Sequence, residues 1–466
     1  MKGLNLLPGR AGWLALLVIT LVGCVATLDQ ETATAPPATL TPGVTQIPPP
    51  ATYTSSPTLQ SEAVAPTPTS PPPTATATPT ATATPTPLAP PCSFEASLAS
   101  QASASSLDAY VFADPQVVLT QTTNISIFDW LPDGERLLIA RRADPHPPEE
   151  YLDTFNVQTG ALQRLGEWNI FSGGSNIKPV WLDAERAIIF GNRVNGQWGL
   201  YIGREQGAPA QEIVAGLASL HPAVSPDGQR VVFLPQTPAN QPQILDVARA
   251  QRQNLAFTLP TLSEELAMQL HISRQDPYHI VWHPDGSRIA FYNNVGFYLA
   301  DLGTGQMCEL HLGTPGRGQK LWAVDAQWSL DGHYLAALTA AGEPVVPSID
   351  LTILDMSTGG TQRLNLGYEY LHTLSWSPNS RDLVTMGSAV HNDLAREYQY
   401  DLYLVDAATG ASRQMLAEHI FMLSGVYGVA WSPDGQEIAL ACPTIDPAED
   451  AIAEGRVCLI SVETEP

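Results

Sequence analysis

The sequence predicts an all-β fold, a seven-bladed β-propeller whose ring is closed by its N- and C-terminal strands, preceded by a disordered Thr/Pro-rich stalk. Three observations carry this. One short phrase recurs seven times between residues 130 and 435: an aromatic or apolar residue, two or three residues of turn chemistry, then an apolar run. Its copies begin at Trp130, Trp181, Val224, Trp282, Trp328, Trp376 and Trp431, 43–58 residues apart, the spacing of blades built from short strands. The runs after each turn are continuously apolar, as in strands covered on both faces. Finally, the seventh repeat lacks a fourth strand, while an orphan strand precedes the first.

Each repeat reads as one blade. In the last, Tyr427 to Trp431 is a first strand, and Ser432-Pro433-Asp434-Gly435 is its turn. Proline fixes φ at the first corner, aspartate bonds its own backbone, and glycine takes the left-handed position. The chain then reverses into Gln436 to Ala441, a hairpin. A third strand ends in a second turn, as in Leu402 to Asp406 running into Thr409-Gly410, and a more polar outer strand follows, such as Thr361 to Leu366. The last repeat stops after Val457 to Val462. The orphan strand, Gln116 to Gln121, is expected to complete blade seven and remove an open edge. Asp183-Ala184-Glu185 and Asn379-Ser380 depart from the turn pattern but keep its spacing.

Ahead of the repeats, Lys2 and Arg10 precede a short apolar core, Trp13 to Leu21, then Leu21-Val22-Gly23-Cys24. The run is shorter than the roughly 20 residues of a membrane span, so it reads as a secretory signal over residues 1–23. A small residue directly before a cysteine resembles the lipobox of bacterial lipoproteins. That resemblance implies that Cys24 carries lipid and that the protein is extracytoplasmic, tied to the bacterial cell membrane through that lipid only. Residues 24–91 are dominated by Thr, Pro and Ala and offer almost nothing to bury, so they are expected to be a disordered, semi-extended linker. A lead-in, 92–114, and the propeller, 115–466, follow.

The formal charge is −24, from 46 acidic against 22 basic residues. This argues against nucleic acid and anionic membrane surfaces as partners, which call for Lys and Arg. Cys442 and Cys458 lie near the inner ends of neighbouring strands of blade seven, within reach of a disulfide in an oxidising compartment. Cys92 and Cys308 remain as a second pair or as free thiols. No Cys/His spacing indicates zinc.

The Trp-Ser-Pro-Asp-Gly turn with its following apolar strand and the Asp-x-x-Thr-Gly turn resemble the WD40-like repeat of TolB-type β-propellers over roughly residues 115–466. The resemblance implies the fold and is unspecific for activity. Related repeats front the prolyl oligopeptidases, but no G-x-S-x-G nucleophile elbow is present, so that peptidase chemistry is not expected.

Function is expected on the face carrying the loops between second and third strands and between blades, because the opposite face has short, stereotyped turns. Three loops on the variable face are acidic: Asp144 to Asp153, His391 to Asp401 and Asp446 to Glu454. The helical insertion Ser263 to Leu270 belongs to the same face. The tryptophan anchors, fixed at one repeat position, read as core packing rather than a sugar platform. The residue three before each anchor gives a second constellation: Ile127, Lys178, His221, His279, Asp325, Thr373 and Gly428, with His372 one residue out of register. Lys178, His221, His279, Asp325 and His372 form the candidate ligand site at the channel mouth. No cofactor is predicted; His221, His279 and Asp325 leave a divalent metal as an option. No catalytic residue is assigned. The leading expectation is a binding or scaffold module for a protein or cell-envelope polymer. The alternative is an enzyme at the channel mouth, a metal-assisted hydrolase or lyase.

Overall fold

In the computed structural model, the described residues are 92–93, 107–122, 124–143, 149–167, 178–183, 185–194, 197–205, 209–217, 222–261, 278–293, 296–310, 312, 321–341, 348–366, 370–392, 397–423, 428–446 and 451–464. The signal segment, Cys24, the stalk, His221 and the insertion at Ser263 to Leu270 lie outside them.

The described chain is a seven-bladed propeller, each blade an antiparallel sheet. Blades one to six run in chain order, from Asn124–Trp130 at the inner edge of blade one to Ser412–Gln414 at the outer edge of blade six. Blade seven is made from both ends of the chain: Val429–Trp431, Glu437–Ala441 and Ala451–Thr464, completed by Gln116–Gln121. The register pairs Gln116 with Leu459 and Val117 with Cys458, so the orphan strand closes the ring as its sequence predicts. A further strand, Tyr110–Phe112, extends the closure by pairing with Val462 to Thr464. The Tyr110 hydroxyl then reaches blade six, donating to Asp382 Oδ2 at 2.7 Å.

The turns form as their residues dictate. At Ser432 the side-chain oxygen accepts from Glu437 N at 2.9 Å and donates to Asp434 Oδ1 at 2.7 Å. Asp434 also accepts from Gln436 N, and these bonds hold its carboxyl below the usual range, the one from Ser432 foremost. Gly435 is left-handed at φ 77°. Where glycine is missing the conformation persists: Ser380 (φ 61°) and Arg186 (φ 45°) take left-handed positions, at a local cost in strain. His283 replaces the turn serine of blade four; its Nε2 lies 3.1 Å from Gly332 O in the turn of blade five.

Apolar clusters fill the seams between blades. At the closing seam Ile125, Trp130 and Ile139 of blade one pack with Trp431, Ile438 and Leu440 of blade seven, all buried. Burying each such side chain contributes about 1.5–3 kcal/mol. Five of the six anchor tryptophans are buried. Two disulfides are present, Cys442–Cys458 within blade seven and Cys92–Cys308, which ties the segment before the ring to the outer strand of blade four.

Candidate functional site

A cavity of about 240 Å³ lies where the innermost strands of blades two to five come together. Its wall contains Lys178, His279 and Asp325, three of the residues in the column that precedes the anchors. They arrive on different blades because the repeat returns one position of the innermost strand to the same place in each blade: Lys178 just before Val180–Leu182, His279 at the start of His279–Trp282, and Asp325 within Leu321–Trp328. In blade five a bulge between Ala323 and Asp325 adjusts the position of the aspartate. His221 lies outside the described residues. His372 occupies the innermost strand of blade six, Tyr370–Trp376, and its side chain is outside the description.

The polar wall is coupled. Lys178 Nζ stands 3.7 Å from Asp325 Oδ2, with the lysine side chain 40% exposed and Asp325 buried. Asp325 Oδ1 accepts from Ala326 N at 2.9 Å. The Tyr292 hydroxyl hydrogen-bonds to the same carboxylate; burial first, and the neighbouring carboxylate second, raise its pKa well above the ordinary phenol value. Tyr292 pairs with His279 across the hairpin, and their rings stack at 4.9 Å. Burial pushes His279 down to about 4, against the opposing pull of Asp325. At neutral pH the imidazole is therefore uncharged, a hydrogen-bonding group rather than a cation.

Asp129, on the innermost strand of blade one, joins the electrostatics. Its surface is exposed, yet protein surrounds it, and the loss of bulk solvation raises its carboxyl to about 6 while Lys178 pulls the other way. Tyr292, Gln327 and Asp129 are not singled out by the sequence repeat. Tyr292 is identified by strand register, and Asp129 by a bulge between Ile127 and Asp129 that displaces the polar position along the strand.

Among the described residues no group of three His, Cys, Asp or Glu is placed to hold a metal ion. The Lys178 ammonium already faces the Asp325 carboxylate, so the described wall does not fit a divalent ion. The described carboxylates of the three acidic segments lie on strands rather than in loops and have partners of their own. Asp153 meets Arg141 at 2.6 Å, Asp401 meets His419 Nδ1 at 2.6 Å, and Glu454 meets Arg456 at 2.5 Å. Glu150, 3.9 Å from Arg142, is raised to about 7 by burial.

No protein-family model matches the sequence, and no curated protein matches it. Solved structures do. The chain is similar to an oligogalacturonate lyase from Vibrio parahaemolyticus, with 14% identity and a TM-score of 0.51 over 75% of this chain and 95% of that one. An oligogalacturonate lyase in complex with manganese is similar at 13% identity and a TM-score of 0.48, covering 76% and 97%. TolB from Acinetobacter baumannii is similar at 14% identity and a TM-score of 0.38, covering 71% and 81%. At these identities the likeness is one of fold alone.

Proposed function

We propose that this chain is a non-enzymatic binding module, a lipid-anchored extracytoplasmic propeller held away from the membrane by its stalk and offering its channel mouth to a protein or cell-envelope polymer. The observation that carries the reading is the meeting of Lys178, His279 and Asp325, from three different blades, on one cavity. Concave sites with a few convergent polar groups on an apolar wall are the usual form of a ligand seat. This one is small, so it takes a single residue or side group of a larger ligand. The Lys178–Asp325 approach is long and half open to solvent, so it contributes little to stability and can yield to an inserted group. The apolar core before Cys24 supports the anchor; Cys24→Ala is expected to move the protein from the membrane to the soluble extracytoplasmic fraction.

The test is site-directed photo-cross-linking of the full-length protein in intact cells. A cross-linking side chain at Val180, on the cavity wall, is expected to capture an envelope component, and the yield is expected to collapse with Lys178→Ala plus Asp325→Ala. The same side chain at Gln436, on the opposite face, is expected to capture nothing. Equal yields from the two positions would count against the reading.

A second reading, an enzyme at the channel mouth, is favoured by one observation: Asp129 and His279 are displaced in opposite directions from their ordinary values, the kind of separation that assigns acid and base roles. Turnover of an envelope polymer by the purified protein, abolished by Asp129→Asn, would support it.

A further inference from the structure

The charges at the channel mouth do not cancel. Lys178 Nζ lies 3.7 Å from Asp325 Oδ2, beyond hydrogen-bond distance, on a side chain that is 40% exposed. The residue precedes its strand rather than pairing in it. Lys178 is also within electrostatic reach of Asp129. Asp129 is an exposed residue on the innermost strand of blade one; its Oδ1 accepts from Trp130 N at 2.9 Å, and it has no ion-pair partner among the described residues. His279 is uncharged at neutral pH. Among the described side chains, Lys178 therefore stands alone against the carboxylates of Asp129 and Asp325, and one negative charge is left over. Asp129, pushed up to about 6 by burial, is the group that gains most from a further cation.

The Lys178 ammonium marks where that cation can stand. It is held by one long contact, and its half-exposed stem can turn outward and free the place beside Asp325. The place suits an ammonium better than a guanidinium. The Asp325 carboxylate already accepts from Ala326 N at 2.9 Å and bonds the Tyr292 hydroxyl, so it cannot offer both oxygens to a planar fork. The wall beside it is apolar, with Val180, Val224 and Val281, and such a surface covers an aliphatic stem. At about 240 Å³ the cavity is smaller than the ~300–1,000 Å³ usual for small-molecule sites, in keeping with one side chain. The formal charge of −24 draws a basic partner toward the chain.

We infer that the channel mouth seats a lysine side chain of a basic protein partner, whose ammonium displaces Lys178 from Asp325. The inference rests on the reading that this cavity is the ligand seat. Lys178 is then a tethered stand-in that holds the place until the partner arrives. The incoming stem lies along the valines, its ammonium takes up the charge left over by Asp129 and Asp325, and the released Lys178 turns to solvent. Because Lys178 competes with the ligand, removing its charge strengthens binding, whereas removing the charge of Asp129 weakens it.

Calorimetric titration of the full-length protein tests this with capped glycine peptides that carry one central lysine, one ε-N-acetyl-lysine, or one 2,4-diaminobutyrate, which has the same charge on a shorter stem. The lysine peptide is expected to bind, and the other two to bind at least about tenfold more weakly. Lys178→Gln is expected to tighten the lysine peptide about tenfold and Asp129→Asn to weaken it about tenfold. Glu135→Gln, which removes one negative charge from an exposed turn on the opposite face, is expected to change nothing. Lys178→Gln alters an exposed side chain, so it covers the case in which Asp129→Asn disturbs its strand. A Lys178→Gln protein that binds no tighter than the parent overturns the inference. So does an equal loss in Asp129→Asn and Glu135→Gln, which would mean attraction to an acidic surface without a seat. Equal binding of free cadaverine with the same variant pattern overturns the assignment to a protein's lysine and gives the seat to a free amine. If no peptide binds at millimolar concentration while the cross-linker at Val180 still captures envelope material, this inference fails and the ligand-seat reading stands. If the cross-linker also captures nothing, both fail.

Discussion

Gly428 and Ile127 meet where the ring closes, so tightly that a Cβ on Gly428 would overlap the carbonyl oxygen of Ile127. Gly428 precedes the innermost strand of blade seven and adopts φ 136°, a backbone conformation that favours glycine. Both residues belong to the column three places before the anchors, which elsewhere in the ring supplies the polar cavity wall. At the closing seam that column is given over to backbone contact.

Gly428→Ala therefore combines backbone strain with a clash against main chain that cannot move aside. It is expected to destabilise the propeller by about 3 kcal/mol or more, read as a shift in the midpoint of denaturant unfolding. A change within about 0.5 kcal/mol would mean that blades seven and one are less intimately joined.

The indole bond between Trp130 and Ala430 spans 300 residues of sequence. Trp130→Phe removes the donor and leaves a buried carbonyl unpaired, whereas Trp282→Phe removes a donor that has no partner within the described protein. The two substitutions delete the same ring atoms. In the absence of ligand, Trp130→Phe is expected to cost about 1 kcal/mol more than Trp282→Phe, measured by paired unfolding curves. Equal costs would show that the seam bond contributes nothing net.

The two disulfides should differ in weight. Cys92–Cys308 closes a separation of 216 residues and Cys442–Cys458 one of 16. In the chain-entropy picture these restrict the unfolded chain by about 5 and about 3 kcal/mol. Cys92→Ser is thus expected to lower stability more than Cys442→Ser, the reverse order indicating that local packing in blade seven dominates.

His279 should titrate near pH 4 rather than near its ordinary value of 6.5. A lowered histidine gives stability that is fully present above the unfolded value and is lost as pH falls through about 4. One imidazole with that midpoint in a histidine NMR titration, absent in His279→Gln, is the expected result. A His279 resonance that titrates between pH 6 and 7 would place the ring in open solvent.

Much of this fold was legible because its turns demand particular residues. Ser432-Pro433-Asp434-Gly435 can be read as a hairpin since each side chain has a stated bond to make, and Gln116 to Gln121 could be assigned to the last blade because that blade lacked a strand. The cavity was partly legible for the same reason: a repeat returns Lys178, His279 and Asp325 to one place. What was hidden depends on register and on distances between blades. A fixed offset from Trp130 lands on Ile127, which is buried, and passes over Asp129. Tyr292 emerges only through its pairing with His279. The unpaired Nε1 of Trp282 is invisible in a sequence where six tryptophans look alike.

The most direct measurement is hydrogen–deuterium exchange of the full-length protein with and without solubilised envelope fragments. A ligand seated at the channel mouth is expected to slow exchange in Val180–Leu182, His279–Trp282 and Leu321–Trp328 and to leave the Pro-Asp-Gly turns of the opposite face unchanged. Protection confined to those turns, or none in any of the three inner strands, would contradict it.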